Sequence, residues 1–405
     1  MAVGDSSFPA MTPIAGVRLG TAMAGIKKPG RRDLVLIEVA EGASVSGTFT
    51  RNAFCAAPVH VAKAHLASAP ATRYLVINTG NANAGTGEIG MRDARATCQQ
   101  VADIAGVSSE QVLPFSTGVI GEPLPMERLL AGLPEAVDQL SDSAEAWRQA
   151  AEGILTTDTR IKGAARRVML KGGEVVINGI AKGSGMIRPD MATMLGLVAT
   201  DAAIEQEALD AWLRDGVKRS FNSITVDSDT STNDACMLIA TGQAAAVADA
   251  EDERRFRQAL DEVLVSLAQA IIRDGEGATK FVTLAVSGAR SVDEAREVAF
   301  TVAHSPLVKT ALYASDANWG RILAAVGRAQ VSDFDVDLVT IDLGPVRLVE
   351  HGGRATGYTE EAGSAVMAGE EITIAIDLGR GEASATVWTS DLSHDYVSIN
   401  ADYRS

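Results

Sequence analysis

Between Lys182 and Leu195 the chain places Lys182, Gly183, Ser184 and Gly185 ahead of Met186, Ile187, Arg188, Pro189, Asp190 and Met191, and then Ala192, Thr193 and Met194. The apolar run Met194 to Val198 follows directly. A polar, glycine-bearing loop that feeds a buried strand, with threonine at the junction, suits an N-terminal nucleophile. A threonine hydroxyl attacks weakly until a base takes its proton. If the chain is cut just before Thr193, the freed α-amine, with an ordinary pKa of about 8, can be that base. The cut itself would be an N-to-O acyl shift, in which the hydroxyl attacks the preceding carbonyl and water then opens the ester. A glycine-rich approach can hold the peptide in an uncommon geometry that favours the shift. The same composition also fits an ordinary turn beside a core methionine stripe, and the residues alone leave both readings open.

Phe115 to Gly121 contains the pair Thr117-Gly118, which can present a hydroxyl and a backbone N–H together to a developing oxyanion. Such a donor is worth on the order of 3–4 kcal/mol in a transition state. A plain strand-to-loop turn is the competing reading. Glu276 lies between Gly275 and Gly277, where the backbone can pass close to a ligand and a carboxylate can meet a cation; a solvated loop acid has the same pattern. Asp227 to Asp234 is rich in acids and hydroxyls but lacks the central glycine and closing glutamate of a helix–loop–helix calcium site, so no metal is expected there. The five histidines have no ligand spacing, and Gly80 to Gly87 matches no nucleotide-binding loop; no cofactor is expected.

These groups need a scaffold, and the composition supplies one. The 405 residues are 46% hydrophobic and 22% charged, enough to bury a sizeable core. A formal net charge of −16 argues against nucleic acid and anionic membranes as partners. Cys55, Cys98 and Cys236 have no paired spacing and fit a reducing, cytoplasmic setting. No secretory signal or membrane-length apolar run is expected. Tyr74 to Asn78 reads as a buried strand opening into a turn over Thr79 to Gly87, and Met91 to Ile104 as a helix. Glu174 to Ile177 reads as a strand stopped by Asn178-Gly179. Phe256, Leu260, Val263, Leu264, Leu267 and Ile271 form one stripe of a helix from Asp252 to Arg273 that ends at Asp274-Gly275. Lys280 to Val286 reads as a strand, Pro306 opens a helix after Ser305, and Glu371 to Asp377 with Ala383 to Trp388 reads as a hairpin. Mixed elements of this kind indicate an α/β or α+β chain. A domain boundary is expected near residue 285.

Several long motifs occur in one order. They are Val76 to Ala84, Ser116 to Ile120, Leu155 to Thr159, Lys182 to Leu195, Asp227 to Asp234, Asp274 to Lys280, Ser305 to Thr310 and Tyr396 to Tyr403. By these residues the sequence resembles, essentially end to end, the ornithine acetyltransferase family, also called glutamate N-acetyltransferases. The resemblance implies a layered αββα sandwich like that of the self-cleaving aminopeptidases, spanning residues 1–285, and a smaller C-terminal α/β domain of 286–405 whose tail returns to the active site. It implies cleavage between Ala192 and Thr193 into an α chain of 1–192 and a β chain of 193–405, assembled as an α2β2 heterotetramer. Thr193 would be the nucleophile, Thr117 and Gly118 the oxyanion hole, and Thr156, Lys182, Thr193, Glu276, Asn400 and Ser405 the substrate contacts. The expected reaction moves the acetyl group of acetylornithine to glutamate by ping-pong kinetics through acetyl-Thr193, with acetyl-CoA as a further donor in bifunctional members. Two alternatives are a monofunctional transferase and a self-cleaving aminopeptidase or amidase. Three positions depart from the family pattern: Ser405 stands for a common threonine, Arg188 for a small residue and Asp190 for asparagine, the last adding negative charge beside the cut.

Overall fold

The computed structural model describes residues 2–4, 7–68, 71–188 and 194–402. Thr193, Ala192 and Ser405 lie outside these, as do Pro189, Asp190 and Met191. The chain divides into two compact units, one of Ser6–Asn222 with Asp229–Ile271, the other of Met1–Asp5, Ser223–Ser228 and Ile272–Ser405.

The first unit holds two sheets. One runs β1 (Val17–Ala22), β2 (Leu34–Val39), β4 (Tyr74–Asn81), β5 (Val112–Val119). The other runs β3 (Ser44–Phe49), β10 (Ala235–Ala240), β8 (Leu195–Thr200), β7 (Gly173–Lys182), β6 (Lys162–Leu170). Side chains alternate across a strand, so a continuous apolar run serves two layers at once. In β2, Val35, Ile37 and Val39 enter a core shared with Leu195, Leu197, Met237 and Ile239 of the other sheet. Leu34 and Leu36 point the opposite way, into a cluster with α1 (Ala57–Ser68), α2 (Gly87–Ala105) and α3 (Met126–Asp138). Trp147 and Ala150 of α4 (Ala144–Gly153) join the core between the sheets. Beyond the second sheet, α5 (Gln206–Arg219) packs on β3 and β10, while α6 (Ala250–Arg273) brings Val263 and Leu267 against Gly179 of β7. The layers therefore run helix, sheet, sheet, helix, a mixed α/β sandwich.

The second unit carries one seven-stranded sheet in the order β14 (Gly353–Arg354), β13 (Val346–Glu350), β12 (Thr340–Leu343), β15 (Glu371–Asp377), β11 (Phe281–Ala289), β16 (Ala383–Ser390), β9 (Ile224–Thr225). Val282, Leu284, Ile372, Ile374 and Val387 cover one core with Val298 and Val302 of α7 (Val292–Ala303), Leu312 of α8 (Pro306–Tyr313) and Ile322 of α9 (Trp319–Gly327). Met367 of α10 (Glu360–Met367) joins them, and α11 (His394–Ala401) ends the described chain. Ser305 caps α8 by accepting from the Val308 N–H, as its position before Pro306 predicts.

Three local expectations are corrected. Asn178-Gly179 does not stop its strand; β7 continues to Lys182, because the Asn178 amide donates to Thr12 O at 2.6 Å and Gly179 makes room for α6. A Cβ on Gly179 would sit 2.7 Å from Leu267. Nor do β15 and β16 form a hairpin: β11 lies between them, parallel to the first and antiparallel to the second. The turn expected from Thr79 also begins late, since β4 runs to Asn81.

Candidate active site

In the sandwich unit, Thr117 and Gly118 lie just before the last residue of β5, beside the end of β4, where the parallel register breaks between Gly80 and Asn81. Gly118 has φ 137°, and a Cβ there would lie 2.2 Å from the Gly80 carbonyl carbon. No other residue fits this approach. The neighbouring backbone is pinned by side chains. Ser116 Oγ donates to Asn78 Oδ1 at 2.5 Å, and the Asn233 amide donates to Ser116 O at 2.9 Å and Ala82 O at 2.6 Å. One end of the Asp227–Asp234 stretch thus clamps the ends of β4 and β5.

Lys182, the last residue of β7, is buried and donates from Nζ to Thr117 Oγ1 at 3.3 Å. An ammonium donating to that oxygen leaves the threonine's own proton free to point at an oxyanion. It also adds positive potential in a low-dielectric setting. The next residue, Gly183, donates its N–H to Asp158 Oδ1 at 2.7 Å. Asp158 Oδ2 accepts the Thr156 N–H at 3.0 Å, and Oδ1 also takes Lys162 Nζ at 2.6 Å. Burial pushes the Asp158 carboxyl up, but Lys162 and Lys182 overcome it and hold the group well below the usual carboxylate range. Thr157 and Ser184 share a hydroxyl contact of 2.7 Å. The sandwich unit therefore brings Thr117, Gly118, Lys182 and Thr156 together: Lys182 bonds to Thr117, and Asp158, which feels the charge of Lys182, holds Thr156, Lys162 and the Gly183 N–H.

The second unit pairs Glu276 with Asn400. The Asn400 amide on α11 donates to Glu276 Oε2 at 2.8 Å and to Tyr396 O at 3.0 Å. The Glu276 loop is fastened to the segment that leads into that helix. Asp391 accepts the N–H groups of Thr279 and Lys280 at 2.8 and 2.9 Å, and Ser393 Oγ donates to Gly277 O at 2.6 Å. Gly277, at φ 68°, passes so near that a Cβ would stand 2.5 Å from Tyr396 N. Among the described residues no cluster of three or more His, Cys, Asp or Glu could hold a metal.

Sequence reading passed over Asp158, although its motif, Leu155 to Thr159, stood out. Asp158 followed four residues later by Lys162 was the available hint, and it is a weak one outside a helix. Asp234 closes the acid-rich Asp227–Asp234 motif, and nothing in the sequence marks it as buried.

The ArgJ family model matches residues 18–405, and the chain belongs to this family. Over 409 aligned residues, covering all of both chains, it is 56% identical to the arginine biosynthesis bifunctional protein ArgJ of Pseudomonas fluorescens. The protein of the same name from Pseudomonas syringae pv. tomato is likewise 56% identical over full length. Among solved structures, ArgJ of Bacillus halodurans is 38% identical, with TM-score 0.47, over 50% of this chain and 95% of its own. An ornithine acetyltransferase of Mycobacterium tuberculosis, solved with ornithine, is 35% identical with TM-score 0.41, over 44% of this chain and 93% of its own.

Proposed function

We propose that this protein is a glutamate N-acetyltransferase of arginine biosynthesis that moves the acetyl group of N2-acetyl-L-ornithine to L-glutamate. The chain first cuts itself between Ala192 and Thr193. Thr193 then attacks the acetyl carbonyl, its α-amine taking the hydroxyl proton, while Thr117 and the Gly118 N–H hold the oxyanion. Ornithine departs with that proton, and glutamate removes the acetyl group from Thr193 by the reverse route. Glu276 suits an amino group of ornithine, and Lys182 a substrate carboxylate or the tuning of the α-amine. Thr156, Asn400 and Ser405 complete the substrate contacts in this reading. No cofactor is needed, because the nucleophile, base and oxyanion donors all come from the chain.

The observation that carries the reading is Lys182 donating to Thr117 beside the glycine-only backbone of Gly118. Full-length identity of 56% to proteins named as bifunctional in arginine biosynthesis supports acetyl-CoA as a second donor. In this reading the cut chains stay together as a cytoplasmic α2β2 enzyme; Cys55, Cys98 and Cys236 are free thiols, and no described helix is long and apolar enough to cross a membrane. Purified enzyme given acetylornithine and glutamate should release ornithine with parallel double-reciprocal plots, and given acetyl-CoA and glutamate should form acetylglutamate. Hydrolysis of acetylornithine at the same rate with glutamate absent would favour the aminopeptidase-type alternative.

A further inference from the structure

The connection 23–33, between β1 and β2, concentrates positive charge in a chain that is acidic overall. Lys27, Lys28, Arg31 and Arg32 occupy four of the six positions from 27 to 32, whereas the whole chain has 52 Asp and Glu against 36 Lys and Arg. The acid of this connection, Asp33, is buried and turned inward. Its Oδ1 accepts the Ala24 N–H at 2.7 Å and its Oδ2 the Ile26 N–H at 2.6 Å, which closes the loop at its base. The Asp33 carbonyl accepts the Thr79 N–H of β4 at 2.9 Å. Arg128 donates from Nη1 to Gly25 O at 2.9 Å and brings a fifth cation to the loop. Arg32 is engaged with Thr21 Oγ1 at 3.2 Å and Glu152 Oε2 at 3.4 Å. Lys27 and Lys28 stand exposed at the far turn.

This loop touches two segments of the candidate site. A Cβ on Gly80 would lie 2.7 Å from Lys27 Cβ, and Gly80 is also the residue against which Gly118 packs. Arg31 donates from Nη2 to Leu155 O at 2.6 Å, one residue before Thr156. The cations thus border the oxyanion turn and the Thr156 loop without being drawn into the hydrogen bonds of either side chain. Acetylornithine carries one carboxylate and one ammonium, and needs no such cluster. Acetyl-CoA is different: its diphosphate and 3′-phosphate carry roughly four negative charges at neutral pH. The field of a chain with net charge −16 repels such a molecule, so a local basic surface is required to hold it. Resting on acetyl-CoA as the second donor, we propose that the 23–33 loop is the docking surface for the phosphates of acetyl-CoA, with Lys27, Lys28 and Arg31 as their partners. The pantetheine arm then leads the thioester past Gly80 toward Thr117 and Gly118. A guanidinium suits phosphate by its planar fork and a lysine as a mobile point charge. Because Asp33 and Arg128 close the loop beforehand, little ordering is left for the ligand to impose. The loop serves the thioester donor and leaves acetylornithine indifferent to it.

The test measures acetylglutamate formation by purified full-length enzyme from glutamate with acetyl-CoA or with S-acetylpantetheine, which has the same thioester and no phosphate. In Lys27→Ala/Lys28→Ala, alanine keeps the Cβ that packs on Gly80, and Arg31 stays to hold Leu155. Its kcat/KM for acetyl-CoA should fall about 10-fold or more, with kcat/KM for acetylpantetheine and for acetylornithine within about twofold of wild type. Raising salt from about 0.05 to 0.3 M should weaken wild-type use of acetyl-CoA and leave the double variant nearly unaffected. Lys28→Glu, a single change at the exposed turn, should lower kcat/KM for acetyl-CoA further than Lys28→Ala and decides the matter should the double variant fail to fold. Wild type that makes no acetylglutamate from either thioester would remove the second donor itself. Wild type active with acetyl-CoA, but with either variant within about twofold of it or with equal losses for acetyl-CoA and acetylpantetheine, would overturn the role of the loop alone.

Discussion

Asp158→Asn removes one charge from a buried pair. The side chains of Asp158 and Lys162 are 0% and 2% exposed, and 2.6 Å separates their charged atoms. Asparagine can still accept from Thr156 or Gly183, so the main loss is electrostatic: the Asp158 charge beside Lys162 is removed, while Lys162 keeps its bond to Arg160 O at 3.3 Å. Stranding one member of a buried pair typically costs about 3–5 kcal/mol. At roughly 2–4 °C per kcal/mol for a domain of this size, Tm should drop by about 6–20 °C, read by calorimetry and by urea midpoint at neutral pH. Replacing Lys162 by methionine in the same chain should recover part of the loss, since no charge is then stranded. The pH dependence gives a second check. Although burial alone would raise Asp158, Lys162 and Lys182 hold its folded pKa below the unfolded value of about 3.9. Its contribution is therefore complete above that value and is lost as pH falls through it toward the folded pKa, so wild type should lose Tm on acidification more steeply than Asp158→Asn. A cost below about 1 kcal/mol, with identical acid slopes, would refute the holding role of Asp158.

Gly118→Ala forces a Cβ into the Gly80 backbone and should lower ornithine release by on the order of 100–1000-fold, measured by steady-state kinetics; a loss under tenfold would place the oxyanion donors elsewhere. Glu276→Gln should cut kcat/KM for acetylornithine by about 10–100-fold if the carboxylate pairs with a substrate amino group, and unchanged half-reaction rates would exclude that pairing. Lys309 is fully buried, donating to Thr389 Oγ1 at 3.0 Å and to the Ser390 carbonyl; burial, opposed by Asp391 and Asp227, pulls its pKa down to about 8. Because the unfolded lysine keeps its proton to about pH 10.4, stability should rise between about pH 8 and 10.4, by at most about 3 kcal/mol, and Lys309→Met should abolish that rise in an alkaline Tm series.

What the sequence shows well is whatever a single element decides by itself. The stripe of α6, the apolar runs of β4 and β11, and the Ser305-Pro306 start of α8 are set by local periodicity and capping, and they fold as read. Strand partners are a different matter. β15 and β16 are near neighbours in the chain, yet each bonds to β11 instead, and pairing of that kind is settled by the whole sheet. The candidate site shows the same limit in its charges. Asp158 and Asp234 are both buried aspartates that feel the charge of Lys182, and sequence gives no ground for treating them differently. Asp158 also has Lys162 at 2.6 Å and the N–H groups of Thr156 and Gly183, enough to overcome burial and keep it ionised. Among the described residues, Asp234 has the bonds from Met194 and Ser231 beside that shared ammonium, and burial prevails so that its pKa rises. One lysine thus lies near two buried aspartates whose pKa values move in opposite directions. Only the folded arrangement of second partners decides which aspartate is which.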